Sequence, residues 1–337
     1  MKTQNSSLEF HHFPVMLNEV IQVLSPIEGG LFVDCTFGAG GYSRAILNFS
    51  NTKVIAFDRD SNAIFFAKKL ENQFQNRFNF NQLRFSQMST ILNNINVDAI
   101  VFDLGLSSVQ LRDLSRGFSF NSKDKLDMTM GLTDKSAQDA VNNLSEKQLK
   151  IIIKILGEEK EASKIAKNIV KARLKKKITR VDELTRIIEK TKKKSYPKKI
   201  NPCTKTFQAL RIFVNKEFTE LLYGIANATK FLKPGGKILV VSFHSIEDKI
   251  VKYFFNNFSK SKANPSRYLP EENNNKYALF EKYRNKVIRP SKKEITKNNP
   301  SRSAKLRVAI RSKNKFVNPE FLFQKFEKYL EIEGYNV

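Results

Sequence analysis

The chain has 337 residues but only two cysteines and three histidines. Cys35 and Cys203 lie far apart and form no C-x-x-C pair. That argues against a disulfide framework and a cysteine-based zinc site, and it fits a reducing cytosol. His11 and His12 are adjacent, but with only three histidines and no cysteine cluster no metal is expected. No apolar run approaches the ~18 residues that suggest a membrane helix. The opening stretch MKTQNSSLEFHHFPVML lacks the continuous apolar segment of a secretory signal. A cytoplasmic protein without a membrane partner is the expectation.

Acids are also scarce. There are 33 Asp and Glu against 59 Lys and Arg, a net charge of +26. The chain is rich in Asn and Ile, as products of AT-rich genomes are, but such bias would enrich Glu together with Lys. The imbalance instead favours a polyanionic partner, most simply nucleic acid. Half of it sits in one segment: residues 160–205 hold 17 Lys/Arg and 4 Asp/Glu, including KARLKKK (171–177) and KTKKKSYPKK (190–199). Most charge runs are solvated helix faces. One this one-sided within a folded chain is read as a phosphate-contacting surface.

What is present reads as alternating buried strands and helices. LFVDC (31–35), KVIAFDRD (53–60), DAIVFDLG (98–105) and GKILVVSFH (236–244) are short apolar runs, the first three carrying acids at or near their ends: Asp34, Asp58 and Asp103. Helical periodicity follows at 42–49, at 61–74 with Ser61 as the expected N-cap, and at 208–232 as one long helix stopping at Lys233-Pro234-Gly235-Gly236. AKLRVAIR (304–311) reads as a late edge strand. This pattern predicts a mostly parallel sheet in an α/β sandwich. Between 110 and 206 strand-like runs vanish, so a helical insertion is expected there. Residues 258–300 are polar and resist assignment.

The first strand runs into VDCTFGAGGYS (33–43). The dinucleotide fingerprint G-x-G-x-x-G fails, because position 43 is serine. The pattern D-x-x-x-G-x-G-G instead suits S-adenosylmethionine (SAM), which must pass closely over the first turn. Asp58 stands where an acid takes ribose hydroxyls in nucleotide-binding sheets.

The motifs together resemble one family, the bacterial small-subunit ribosomal RNA (cytosine-N4)-methyltransferases of the RsmH or MraW type. The resemblance rests on HFPVMLNEV (12–20), DCTFGAGGYS (34–43), FDRDSNAI (57–64), FDLGLSSVQL (102–111), RGFSF (116–120), LDMTM (126–130), TFQALRIFVNKE (206–217), PGGKILVVSFHSIEDKIVK (234–252) and NPSRSAKLRV (299–308). It implies a class I SAM-dependent methyltransferase fold, Rossmann-like with a mostly parallel central sheet, carrying an inserted all-helical domain. The implied boundaries are 1–110 and 206–337 for the methyltransferase domain and 111–205 for a substrate-recognition insertion. It further implies SAM as methyl donor, with no metal. The acceptor is the exocyclic N4 of a cytidine in the decoding centre of 16S rRNA, within the assembled small subunit.

By position, the resemblance implies cofactor contacts at Gly40, Gly41 and Tyr42, at Asp58 for the ribose, at Met88 near the adenine, and at Asp103 and Gln110. Tyr42 replaces the family's usual histidine, Met88 a frequent aromatic, and LDMTM lacks the Arg often found before its last Met. Asp103 is also a candidate for contact with the cytosine amine, although the Pro-Pro-aromatic sequence of many amino-methyltransferases is absent. His244 is either hydrogen-bonded structure or a base. Arg116 and Arg211 either bind phosphate or pair with acids. Three rival readings stand beside this one: an NAD-dependent oxidoreductase, a non-catalytic RNA-binding or ribosome-assembly protein on the same fold, and the same chemistry on DNA.

Overall fold

The computed structural model describes residues 14–133, 135–192, 201–259, 278–283 and 286–337. His11, His12 and most of the 190–199 lysine run lie outside the described residues. Seven strands form one sheet in the order β3-β2-β1-β4-β5-β7-β6. They are β1 (Gly30–Asp34), β2 (Thr52–Phe57), β3 (Phe78–Asn81), β4 (Val97–Asp103), β5 (Leu232–Ser242), β6 (Phe280–Tyr283) and β7 (Lys305–Arg311). The first five are mutually parallel; β7 runs antiparallel to β5, and β6 antiparallel to β7.

The apolar strand runs are explained by burial on both faces. On one side, α1 (Leu17–Leu24), α2 (Gly41–Leu47) and α3 (Ala63–Phe74) place Val20, Ile46 and Leu70 in a cluster with Phe32, Val54, Val101 and Leu239. The chain between β4 and the next long helix carries α4 (Ser108–Arg112), α5 (Ala137–Asn143), α6 (Glu146–Ile155), α7 (Ala162–Arg173) and α8 (Val181–Thr191). Ser107, Ser136 and Ser145 start α4, α5 and α6 with reciprocal capping boxes. Then come α9 (Thr204–Asn215), α10 (Glu217–Phe231), α11 (Ser245–Asn257), α12 (Lys292–Lys297) and α13 (Glu320–Glu333). Ile152 and Ile165 of the inter-strand helices share one apolar cluster with Leu210, Phe213 and the sheet residues Ile100 and Phe102. Among the described residues no helix is long and apolar enough to cross a membrane.

Several local expectations are corrected. The helix expected over 208–232 is two helices, broken at Lys216 with φ 50°. The break has a cause: the Asn215 side chain turns to the 126–130 loop, donating to the Met128 carbonyl at 2.7 Å and accepting from the Met130 amide at 2.8 Å. Ser61 does not cap α3; Asn62 holds the N-cap position and makes no side-chain cap bond. β7 is not an edge strand, because β6, from the polar stretch left unassigned, pairs outside it. β5 starts at Leu232, and the Lys233–Gly236 turn is accommodated as a bulge against β4. β3 was not anticipated.

Candidate active site

The carboxyl ends of β1, β2 and β4 open onto a cleft of about 360 Å³, within the range of small-molecule pockets. Its floor is the loop after β1, from which Gly38, Gly41 and Tyr42 line the cleft while Gly40 does not. Gly40 there has φ 81°, and a Cβ on it would stand 2.8 Å from the Phe37 ring; a Cβ on Gly41 would stand 2.4 Å from Pro14. These two glycines are therefore demanded by the protein's own packing. Gly38 has only an ordinary contact, 3.6 Å to Ser107. Tyr42 turns its ring into the core, 3% exposed, and its hydroxyl donates to the Val15 carbonyl. It anchors the segment before α1, so its backbone is what it can offer a ligand.

Acids frame the cleft. Asp34 is buried beneath the loop and accepts from the Ser43 hydroxyl at 2.7 Å and the Thr36 amide at 3.2 Å. Burial pushes its carboxyl up to about 6 despite those bonds. Asp58, just past β2, accepts the Gly38 amide at 2.7 Å on Oδ2 and the Asp60 amide at 2.9 Å on Oδ1. Burial holds its carboxyl above the usual range. Two donors leave a carboxylate with free lone pairs.

Asp103 ends β4 and lines the cleft. Its amide donates to the Thr36 hydroxyl at 2.7 Å, while its Oδ1 is shielded from solvent and has no hydrogen-bond partner. Burial, then the nearby acids Asp34, Glu247 and Glu294, raise its carboxyl well above the normal range.

Gln110 also lines the cleft. Its side chain caps α4 by accepting from the Ser107 amide at 3.0 Å and donates to Asp60 Oδ2 at 2.6 Å. Arg116 meets the same Asp60 oxygen at 2.6 Å and donates to the Thr129 carbonyl at 2.7 Å. Arg211 pairs with Glu217 through two bonds of 2.8 and 3.0 Å, raising its guanidinium pKa although burial alone would lower it. Both arginines thus resolve as partners of acids.

Met88 is placed differently from expectation. It is fully buried in the core, in a 3₁₀ turn (Phe85–Thr90), and does not line the cleft; Leu83 and Phe85 do. His244 lines the cleft as the N-cap of α11, with Nε2 3.0 Å from Glu247 Oε1. Burial would raise Glu247, but His244 and the Phe243 amide outweigh it, so its pKa is lowered. Glu217, His244 and Glu247 each bring a ligand-type atom within 4.8 Å of the others. Arg211 donates to both oxygens of Glu217.

Sequence reasoning missed Asp60, Glu247, Phe85 and Thr36. The second acid of the D-R-D run and the His-x-x-Glu spacing of a capping box were the available signals for the first two. Phe85 and Thr36 had none.

Residues 9–312 match the model of the MraW methylase family. The chain is 46% identical over 307 residues to a protein of Ehrlichia ruminantium (strain Welgevonden) named ribosomal RNA small subunit methyltransferase H, covering 89% of this chain and 99% of that one. It is 42% identical over 304 residues to the protein of the same name from Parvibaculum lavamentivorans, covering 89% of each. Among solved structures, an rRNA methylase from Streptococcus thermophilus aligns with a TM-score of 0.40 and 10% identity, covering 88% of this chain and 95% of that one. The strand order and the glycine loop after β1 are those expected of the class I methyltransferase fold, and the chain belongs to the MraW methylase family.

Proposed function

We propose that this protein transfers a methyl group from SAM to the exocyclic N4 of a cytidine in the decoding centre of 16S rRNA, with the assembled small subunit as substrate. One observation carries the reading: Asp103 lines the cleft that opens beside the glycine loop, and its carboxylate accepts no hydrogen bond from the described residues, one oxygen being buried without a partner. The family and the names of the relatives support small-subunit RNA as the target, and the net charge of +26 suits it.

The residues fit the donor. The loop backbone at Gly40, Gly41 and Tyr42 would take its carboxylate, Asp58 its ribose hydroxyls, and Gln110 would lie beside it. Leu83 and Phe85 would form the wall for the adenine, with Met88 packed behind them. When bound, SAM supplies an already activated sulfonium methyl. The work left to the chain is positioning. The lone pair of the cytosine amine is shared with its ring. Asp103, accepting one N–H of that amine, would turn it out of conjugation and hold the nitrogen toward the methyl group; the proton leaves after transfer. The target base must first leave its stack. Residues 111–205, with their surplus of lysine, would serve as the RNA platform.

The test is methyl transfer from labelled SAM to small subunits lacking the modification. Label on N4 of one cytidine is the expected result. A folded, SAM-binding protein that transfers no label would instead be a non-catalytic RNA binder, and the proposal would fail.

A further inference from the structure

A second groove, of about 430 Å³, lies where the α6–α7 connection meets the start of α11 and the middle of α13. Lys154, Lys160, Lys249 and Lys328 line it. All four are exposed, and none has an ion-pair partner among the described residues. Two acids also line the groove: Glu159 is buried and paired with Lys192, whereas Glu158 is an exposed carboxylate that accepts the Ser245 hydroxyl, so four lysines face one acid that has no ion pair among the described residues. Lys205 adds a further cation at the rim, donating to the Glu158 carbonyl at 2.9 Å.

The groove adjoins the cleft along α11. His244 and Glu247 face the cleft, while Ser245, Ile246 and Lys249 face the groove. The groove is separate from the Lys175–Lys177 surface. The twelve residues of α7 lie between Lys160 and that run, a rise of about 18 Å.

Resting on the function proposed above, we infer that this groove holds the phosphodiester backbone of the RNA strand flanking the target nucleotide. Four cations without protein partners, beside a cleft that must admit an extruded base, match a polyanion that enters and leaves the cleft as a strand. Lysine is a point-charge phosphate binder and needs no bidentate geometry. The α6–α7 connection would thus steer the strand at the cleft, and the far end of α7 would hold RNA more remotely.

The experiment compares the full chain with the variant Lys154→Glu/Lys249→Glu/Lys328→Glu. Small ribosomal subunits are the RNA probe, titrated across salt concentrations, and SAM affinity is measured by calorimetry. The expected result is unchanged SAM affinity, RNA affinity reduced tenfold or more, and a salt slope shallower by about two, near 0.7 per lost single-strand phosphate contact. Wild-type RNA affinity and salt slope in a variant that still binds SAM would overturn the inference. If the triple variant loses SAM binding, Lys154→Gln/Lys249→Gln/Lys328→Gln is read by the same criteria. Failure of the wild type to transfer methyl would overturn the catalytic proposal, while the binding comparison would still decide the groove.

Discussion

Asp58 Oδ2 accepts the Gly38 amide at 2.7 Å, so the acid after β2 holds the loop after β1. The residue proposed to take the ribose hydroxyls also shapes the floor of the cleft. Asp58→Ala leaves the Gly38 and Asp60 amides without their acceptor. We expect a stability loss of about 1–3 kcal/mol in urea unfolding and at least tenfold weaker SAM binding in calorimetry. Wild-type SAM affinity would remove Asp58 from the cofactor site.

Arg116 and Asp60 form a nearly buried pair, with side chains 15% and 8% exposed. Removing one partner strands the other charge, so Arg116→Met should cost about 3–5 kcal/mol. The double variant Arg116→Met/Asp60→Asn should cost clearly less than the sum of the single ones. Additive losses would show that the pair is not coupled.

Asp103 should impose a pH dependence on methyl transfer. Burial and neighbouring acids raise its carboxyl. The proton is therefore held to higher pH than on a free Asp, and transfer should rise with pH as the accepting carboxylate forms. Asp103→Asn keeps an acceptor but does not titrate, so it should retain partial activity with a flattened profile. Asp103→Ala should lower kcat by about 10²-fold or more. An unchanged profile in Asp103→Asn would assign the titration elsewhere.

Glu183 should make the helical segment acid-sensitive. The Lys176 ammonium at 2.8 Å, then the amides of Thr179 and Arg180, hold its carboxyl down to about 2. A depressed carboxylate contributes stability that is present above its ordinary value of 4.5 and is lost as pH falls toward 2. Glu183→Gln should flatten thermal stability over that window relative to wild type.

Lys176 is committed to Glu183, so a clean test of the α7 surface uses its neighbours. Lys175→Glu/Lys177→Glu should weaken small-subunit binding and reduce its salt slope by about 1–2, leaving SAM affinity unchanged. A salt slope equal to wild type would take this surface out of RNA binding.

The parallel core of the sheet was legible because β1, β2, β4 and β5 are apolar on both faces and three of them run into acids. β3, with the sequence FNFN, was not: four residues alternating at the sheet edge give too short a period to register. The break at Lys216 was hidden because the apolar periodicity of α9 continues through it, and its cause is a tertiary bond from Asn215. The glycine loop announced a close approach, but Gly40 is required by the Phe37 ring of the same loop and Gly41 by the remote Pro14, a contact a local reading cannot see. Arg116 and Arg211 were recognisable as important. Asp60, 56 residues before Arg116, emerges as its partner only when distant segments meet; Glu217 lies six residues from Arg211 but is brought to it by the break between α9 and α10. Met88 was placed by analogy with an aromatic position, whereas the turn buries it and sends Phe85 to the cleft.

The central claim is that this chain methylates N4 of one cytidine in small-subunit RNA. Mass mapping of modified nucleotides in that RNA, from cells with and without the protein, tests it most directly. The account predicts that one decoding-centre cytidine loses an N4-methyl group without the protein and regains it when the wild-type chain, but not Asp103→Ala, is restored. An identical set of modified nucleotides in both cell lines would contradict it.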